Sequence, residues 1–298
     1  MERVIRPSAP YSITPHLSLF TLEGKPVPAI YERGRLKVLA YHGGRYTPLS
    51  VSIVGEPWEP EIRFHGPEDL IRRMLRTDFD FEKFLEDLRG YPALRELAER
   101  HVGLRPTRSL SLYSALLESV VKQRISLKAA LRIQSRIVSA LGKVAHVEGE
   151  AYYGHPPPES LLDPERLRGF GLTKMKAVAI SEVARAELEG RLPSLREVEE
   201  SPSSVIEELQ EIGGIGPWTA ELAVAMVSSG FEVGPASDLA VRRGLSRVLG
   251  VEPEGRKVER VLRDLKEYAG LVMYLASLDY EVSRGAGPKK GRRPRGQA

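Results

Sequence analysis

Residues 203–230, SSVIEELQEIGGIGPWTAELAVAMVSSG, decide how the chain is read. Val205, Ile206, Leu209 and Ile212 recur at helical spacing behind Ser201-Pro202, a helix-start signal. From Pro217 a second run is apolar almost all round, which predicts a central, buried helix over 217–229. Between the two stand Gly213-Gly214-Ile215-Gly216. Three glycines in four positions permit positive φ and let another chain approach the backbone closely. Ile212 and Ile215 are placed to bury and pin the turn. Pro217 opens the second helix where its missing N–H costs nothing. The product is a helix N-terminus with free amides and no side chain in the way, which suits an anion such as a phosphate. A phosphate contact positions a partner without reading its sequence. A GxG turn alone is most often an ordinary αα-hairpin; the whole string GIGPWTA between two amphipathic helices is far more specific.

Upstream and downstream of this hairpin the pattern divides in two. Residues 12–66 are rich in β-branched and aromatic residues. SITPHLSLFTL, VPAIYE, RLKVLAYH, YTPLSVSIV and EIRFH read as strands, with turn signals at Glu23-Gly24, Arg33-Gly34 and Gly43-Gly44. From Pro67 the period is helical, with segments expected near 67–77, 80–89, 92–101, 109–123, 126–141, 174–189, 203–211, 217–229, 238–249, 255–268 and 269–282. Ser126 is a cap for one of these and Gly142 its stop. Residues 143–163, with Tyr152, Tyr153 and Pro156-Pro157-Pro158, read as a long irregular surface loop. The expected class is α+β: a small N-terminal antiparallel β-sheet domain over 1–66, then a larger all-helical region over 67–284.

The composition narrows the chemistry. The chain has 298 residues, 42% of them apolar, enough for a sizeable core. It has no run of 18 apolar residues, so no transmembrane helix and no membrane partner are expected. The N-terminus lacks a secretory signal pattern, which points to a cytoplasmic, nucleoid-associated protein. There are no cysteines, which removes thiol catalysis, disulfides and thiolate metal sites. The six histidines have no zinc spacing. Asparagine is absent and glutamine occurs four times, a loss of thermolabile types that fits a hyperthermophile. The net charge is +4, yet Lys289, Lys290, Arg292, Arg293 and Arg295 sit in an acid-free tail, 285–298, which reads as disordered. Such a tail serves equally as a solubility appendage or as a non-specific DNA tether. The rest is close to neutral, so any nucleic-acid binding has to come from local arrangement.

The string IGGIGPWTAELA resembles the hairpin of the helix-hairpin-helix DNA glycosylase superfamily. Gly234-Pro235-Ala236-Ser237-Asp238 resembles the Gly/Pro-rich loop that ends in that superfamily's catalytic aspartate, here 22 residues after Gly216. VVKQRISLKAALRI (120–133) and GFGLTKMKAVAI (169–180) are similar to two further family blocks, in the family's order. The subgroup that looks nearest is 3-methyladenine DNA glycosylase II, whose members also carry an N-terminal sheet domain. The resemblance implies a monofunctional glycosylase that acts as a monomer on double-stranded DNA containing a damaged base. It would flip the base out and leave an abasic site.

The resemblance also assigns roles. Asp238 is the catalytic carboxylate, although at the start of LAVRRGLSRVLG it also reads as an ordinary helix cap. Trp218, Leu222, Leu239 and Tyr274 line the base pocket, with Tyr268 an alternative to Tyr274. Leu222 and Leu239 stand where relatives have tyrosines. Gly213, Gly214, Gly216, Thr219, Gln123, Arg124 and Lys176 face DNA; for Gln123 and Arg124 a solvated turn is the plain reading, as is a solvated face for Lys174 and Lys176. Val144, His146 and Val147 are candidates for a wedge that fills the vacated stack. No cofactor is required, but the hairpin can take Na+ or K+ on the backbone carbonyls of Gln210, Ile212 and Ile215. Two alternatives remain: a glycosylase/lyase for oxidised bases using an amine such as Lys122 or Lys174, and a non-catalytic DNA-binding protein. In lyases the Trp218 position holds a lysine.

Overall fold

The period of two in RLKVLAYH and RYTPLSVSIV puts Leu36, Val38 and Ala40 on the same face as Leu49 and Val51, and that face sets the register of the sheet; Leu39 and Ser50, on the other face, are buried too. In the computed structural model, which describes residues 3–253 and 256–283, five antiparallel strands form the sheet. They are β1 (Arg3–Ile5), β2 (Ile30–Glu32), β3 (Arg35–His42), β4 (Arg45–Val54) and β5 (Glu61–His65), in the order β1-β5-β4-β3-β2. Leu36 opposes Val51 and Val38 opposes Leu49; Val51 in turn opposes Phe64. The helix Glu68–Leu75 lays Leu70, Ile71, Met74 and Leu75 into this same apolar layer, so the sheet's core draws on chain beyond residue 66.

Two further cores are helical. One joins the helices Leu112–Lys122, Leu127–Leu141, Lys174–Leu188 and Pro217–Val227. The other joins Phe81–Asp87 and Pro92–Arg100 to Leu239–Leu249, Arg256–Leu265 and Ala269–Glu281. The last of these helices is buried along Leu271, Val272, Leu275 and Leu278, and Gly244 lets it come close: a Cβ there would lie 2.2 Å from the Ala276 carbonyl oxygen.

The structure departs from the sequence pattern in several places. SITPHLSLF is not a strand but the helix Thr14–Phe20. Its apolar residues fit both periods over so short a run, and Pro15 decides: it has no N–H for a ladder but suits a first helical turn. The span 143–163 is not irregular throughout. It holds a hairpin of β6 (Val144–Val147) and β7 (Glu150–Tyr153). Glu148-Gly149 turns it, both at positive φ, the combination a two-residue turn needs. Glu150 pairs with Arg35 and Lys37 and so docks the hairpin on β3. Two short helices, Pro164–Arg168 and Leu195–Glu200, join the set. Asp163 caps the first, and Ser194 with Glu197 forms a capping box on the second. The 285–298 tail lies outside the described residues.

Arg105 ties the sheet layer to the helices. It is fully buried, between the rings of Tyr11 and Phe79, and donates to the carbonyls of Pro10, Arg76, Phe79 and Gly103. Burial lowers its pKa to about 10. Arg105→Met keeps the bulk but leaves these carbonyls without a donor. Chemical denaturation should show a loss of about 3–5 kcal/mol; a loss below about 1 kcal/mol would show that the carbonyls find other partners.

Candidate active site and DNA-facing hairpin

The hairpin consists of the helix Pro202–Leu209, the turn 213–216 and the helix Pro217–Val227. Only Gly214 uses positive φ, at +87°, and a Cβ there would lie 2.6 Å from Cβ of Ala179. Gly213 and Gly216 serve instead as open backbone. Gly216 is extended, at φ −97° and ψ 176°, and a Cβ on it would meet nothing within 4 Å. No side chain caps the Pro217–Val227 helix, so its N-terminus presents backbone amides alone. Ile215 is buried and its N–H donates to the Ile212 carbonyl at 3.0 Å, which closes the turn.

Gln123 and Thr219 hold this turn rather than meet a ligand. The Gln123 amide nitrogen donates to the Gly214 carbonyl at 3.1 Å and to Thr219 Oγ1 at 2.9 Å, and Thr219 is buried. Lys176 is likewise withdrawn: it is buried, its amine donates to the Val121 carbonyl at 2.8 Å, and burial lowers its pKa. The DNA-facing expectation therefore fails for Thr219 and Lys176, because both polar ends are spent on the protein. Arg124 is exposed, at positive φ, beside the hairpin, and Lys174 is exposed as well. Val144, His146 and Val147 stand exposed on β6.

Trp218, Leu222, Ala225 and Met226 share one stripe of the second helix, and that stripe walls a cleft of about 750 Å³. Asp238 stands at its edge, and one carboxylate serves two neighbours. Oδ1 accepts from the Ala240 and Val241 amides at 2.8 and 3.2 Å, capping the helix Leu239–Leu249. Oδ2 accepts from Trp218 Nε1 at 2.9 Å. The cap reading and the functional reading thus describe the same side chain. Leu239 does not join the cleft wall: it is 60% exposed and turned outward by the helix that Asp238 starts. Tyr268 lies elsewhere, bonded to Asp87 and Lys83, whereas Tyr274 lines the cleft.

The cleft's opposite wall contains residues that the sequence reading missed. His16, on the helix misread as a strand, bonds Tyr274 OH through Nδ1 and Thr107 Oγ1 through Nε2, each at 2.9 Å. Its ring stacks on Phe20 at 4.6 Å. Burial, reinforced by the nearby Lys122 ammonium, lowers the His16 pKa to about 3, so the ring is neutral at physiological pH. Burial also raises the Tyr274 phenol. Beside them Lys122 Nζ pairs with Glu118 Oε2 at 2.9 Å, and His155 Nε2 lies 3.3 Å from Glu118 Oε1. Burial alone would push the Glu118 carboxyl up, but Lys122 and His155 bring it down to about 2. Only the resemblance of residues 120–133 hinted at this wall; nothing in the sequence marked His16.

A Gly-rich hairpin with open amides, followed by a carboxylate held by an indole at the rim of a deep cleft, defines a nucleic-acid-acting enzyme with one reacting centre. The sequence profile of the HhH-GPD superfamily of base excision DNA repair proteins matches residues 117–268, and the chain belongs to that superfamily. It is similar to a solved 3-methyladenine DNA glycosylase from Archaeoglobus fulgidus: 26% identity, TM-score 0.80, 93% of this chain and 98% of that one. DNA-3-methyladenine glycosylase 1 of Schizosaccharomyces pombe is 32% identical over 146 residues, 47% of this chain and 60% of that protein. An 8-oxoguanine glycosylase/lyase from Clostridium acetobutylicum shares the fold at 15% identity and a TM-score of 0.73, covering 96% of this chain and 98% of that one. Among the described residues no helix is long and apolar enough to cross a membrane, and no cluster of His, Asp or Glu is suited to a metal.

The two glycines separate folding from binding. Gly214→Ala meets both strain and Ala179, and should lower the melting temperature. Gly216→Ala should melt as wild type yet bind lesion and undamaged duplexes about tenfold more weakly, since hydrogen bonds to a charged phosphate are the ones obstructed. Unequal loss between the two duplexes in a binding titration would refute phosphate anchoring.

His16 makes a pH prediction. The unfolded chain takes up its proton near pH 6.5 and the native chain only near 3, so stability is lost as pH falls through that window. The loss is about 1.4 kcal/mol per pH unit for this one group. His16→Gln, with both amide ends available to Tyr274 and Thr107, should flatten the slope between pH 6.5 and 4.5 in denaturant titrations. Below 4.5 Glu118 adds a loss of the same sign, and His101, also lowered by burial, contributes equally to both proteins. Identical slopes would mean that His16 is not the group excluded from protonation.

Proposed function

We propose that the chain is a monofunctional DNA N-glycosylase of base excision repair. It removes damaged, alkylated purines from double-stranded DNA and leaves an abasic site. The observation that carries this reading is the Trp218–Asp238 pair at the rim of the cleft. The relatives named 3-methyladenine glycosylases support the substrate class.

The chemistry follows from the placement. A base inside the stack is out of reach, so the nucleotide turns outward into the cleft. The amides at Gly216 and the Pro217–Val227 N-terminus hold phosphate and so fix the sugar. Trp218 lays an electron-rich ring beside an alkylated, electron-poor base, with Leu222 and Tyr274 completing the pocket. The C1′–N bond breaks, its electrons leave with the base, and positive charge develops on the sugar. The Asp238 carboxylate, preorganised by three hydrogen bonds, stabilises that charge; water adds to C1′ and gives up a proton. Arg124 reaches DNA from its exposed turn. The enzyme acts as a monomer, with a sheet domain, 1–66, whose core is completed by the helix Glu68–Leu75, and a helical domain that runs to 284. No cofactor takes part. Na+ or K+ would be held on the backbone carbonyls of Gln210, Ile212 and Ile215; the Ile212 oxygen accepts from Ile215 N–H and keeps a second lone pair. Bound there, the ion would add positive charge near the phosphate.

A lyase reading has one observation in its favour: Lys122 lines the same cleft as Asp238. Its amine is engaged by Glu118, and Trp218 stands where a lyase has its lysine. Borohydride present during turnover should trap no covalent enzyme–DNA adduct. An efficient trap would replace the monofunctional reading with the lyase one.

Asp238→Asn tests the central assignment. Asparagine has one carbonyl oxygen, so it keeps the cap or the indole bond but not both, and its NH2 faces the other donor. A stability loss of about 1 kcal/mol is expected. Single-turnover excision should fall by about 10²–10³ or more, because a full charge is removed from the developing cation. Affinity for lesion DNA should hold. Near-wild-type excision would mean that another group stabilises the sugar.

A further inference from the structure

Charges three or four residues apart on a helix face each other, so opposite signs support the helix and like signs weaken it. Surface helices of this chain pair their cations accordingly. Glu68 holds Arg72, Asp87 holds Lys83, Glu99 holds Arg95 and Glu200 holds Arg196. The helix Leu127–Leu141, LKAALRIQSRIVSAL, does not: it has three cations and no acid. Lys128, Arg132 and Arg136 are exposed and one turn apart, opposite the face that buries Ala130, Ile137 and Leu141. None of the three has an ion-pair or hydrogen-bond partner among the described residues. Three like charges in a row cost the helix stability, and an anion laid along them would offset that cost.

The stripe is continuous with the hairpin and the cleft. Gln123, bonded to the Gly214 carbonyl, and exposed Arg124 stand just before the helix, and Ile125 and Ser126 at its start line the cleft. At the other end Arg136, with Lys25 and Tyr153, walls a second hollow between this helix, the sheet layer and the β6–β7 hairpin. Arg136 also lies beside Gly171, where a Cβ would lie 3.3 Å from its Nη1, shortly before exposed Lys174. From Lys128 to Arg136 the helix rises about 12 Å. One strand of a DNA duplex carries a phosphate about every 3.4 Å along the axis, so about four phosphates span that length.

We propose that the outer face of this helix is a further DNA-binding surface, which grips the backbone of the duplex on one side of the flipped nucleotide. Lys128, Arg132 and Arg136 take phosphates of that flank, while the hairpin at Gly216 takes those at the lesion. The grip is blind to base sequence, as backbone contact is. Its effect is on binding: counterions are released as each phosphate is neutralised, so the affinity gained here falls with salt. An acidic protein would meet the same charges, but the stripe runs out from the cleft that receives the nucleotide, and its spacing suits a strand. This rests on the reading of the chain as acting on double-stranded DNA.

The test is a titration of an undamaged duplex at a series of salt concentrations. Each phosphate contact adds about 0.9 to the slope of log K against log salt. Lys128→Gln, Arg132→Gln and Arg136→Gln together should lower the slope by up to about 2.7, and Arg132→Gln alone by about 0.9. The triple variant should melt no lower than wild type, since like-charge repulsion is removed. A control, Arg89→Gln, Arg95→Gln and Arg196→Gln, takes the same charge from ion-paired positions on other helices, and its slope should stay at the wild-type value. Lesion duplexes lengthened on one side only should show a gain in wild-type affinity from one flank, which the triple variant loses. An unchanged slope in the triple and single variants overturns the proposal and leaves the stripe to another anionic partner. An equal fall in the control, or equal gains from both flanks, overturns it too. Binding with the full slope but no base excision would overturn the glycosylase reading and leave this surface standing, so the two failures are distinguishable.

Discussion

The Asp238 carboxylate is the constraint on which the rest of the site depends. A carboxylate free to rotate would spend part of its stabilising power on reorganisation as charge develops; one fixed beforehand does not. Here Oδ1 is held by two helix amides and Oδ2 by an indole N–H. The helix dipole adds a favourable field at that N-terminus. The same bond fixes Trp218, so the proposed wall for the base and the proposed partner for the sugar are set against each other by one contact. That explains why a residue with a plain capping geometry also sits at the cleft.

The phosphate anchor is coupled to this pair through the protein rather than by adjacency alone. Gly214, Thr219 and Gln123 form a hydrogen-bonded bracket between the hairpin turn, the helix that bears Trp218 and the end of the helix that bears Lys122. Gly214 packs against Ala179, which fixes the turn to a fourth element. A DNA backbone bound at Gly216 is therefore bound at a set distance from the carboxylate, which is what positioning a reactive sugar requires. The Gln123 amide nitrogen and the Thr219 hydroxyl are spent on this bracket.

The sequence carried the hairpin, Asp238 and most helix ends because each of these is a local event: a glycine run, a cap, a proline at a first turn. It also carried the strands over 35–42, rich in β-branched and apolar residues, and 61–65, where alternation is strict. It misled where seven residues satisfied two periods at once, at Thr14–Phe20, and where Glu148 occupied a turn position usually given to Asn or Asp. The opposite wall of the cleft was illegible for a different reason. His16, Thr107, Glu118 and His155 lie far apart in the chain, and only the docking of the sheet layer on the helices brings them beside Tyr274, which the family resemblance had placed in the pocket. Lys176 and Thr219 show the reverse case. Both sat in family-like strings beside the hairpin, yet helical rotation turned their polar ends inward, to Val121 and Gln123.

The charges of the cleft follow from this assembly. Glu118 and Lys122 cancel, Arg108 is paired with Glu199, and His16 is neutral. Asp238 and Glu281 remain on the lining with no ion-pair partner among the described residues, which leaves the cleft acidic. An acidic cleft attracts a cationic base and a developing oxocarbenium ion, and it repels the phosphates on either side of the flipped nucleotide. The repulsion must be met outside the cleft, where the open helix N-terminus at Gly216 and exposed Arg124 stand. Binding and catalysis are thereby divided in space. Positive potential outside the cleft would hold the strand in place, and the negative potential of the cleft lining would be kept for the sugar, whose charge exists only as the bond breaks. The division favours the transition state over the bound ground state, the condition for binding energy to appear as rate.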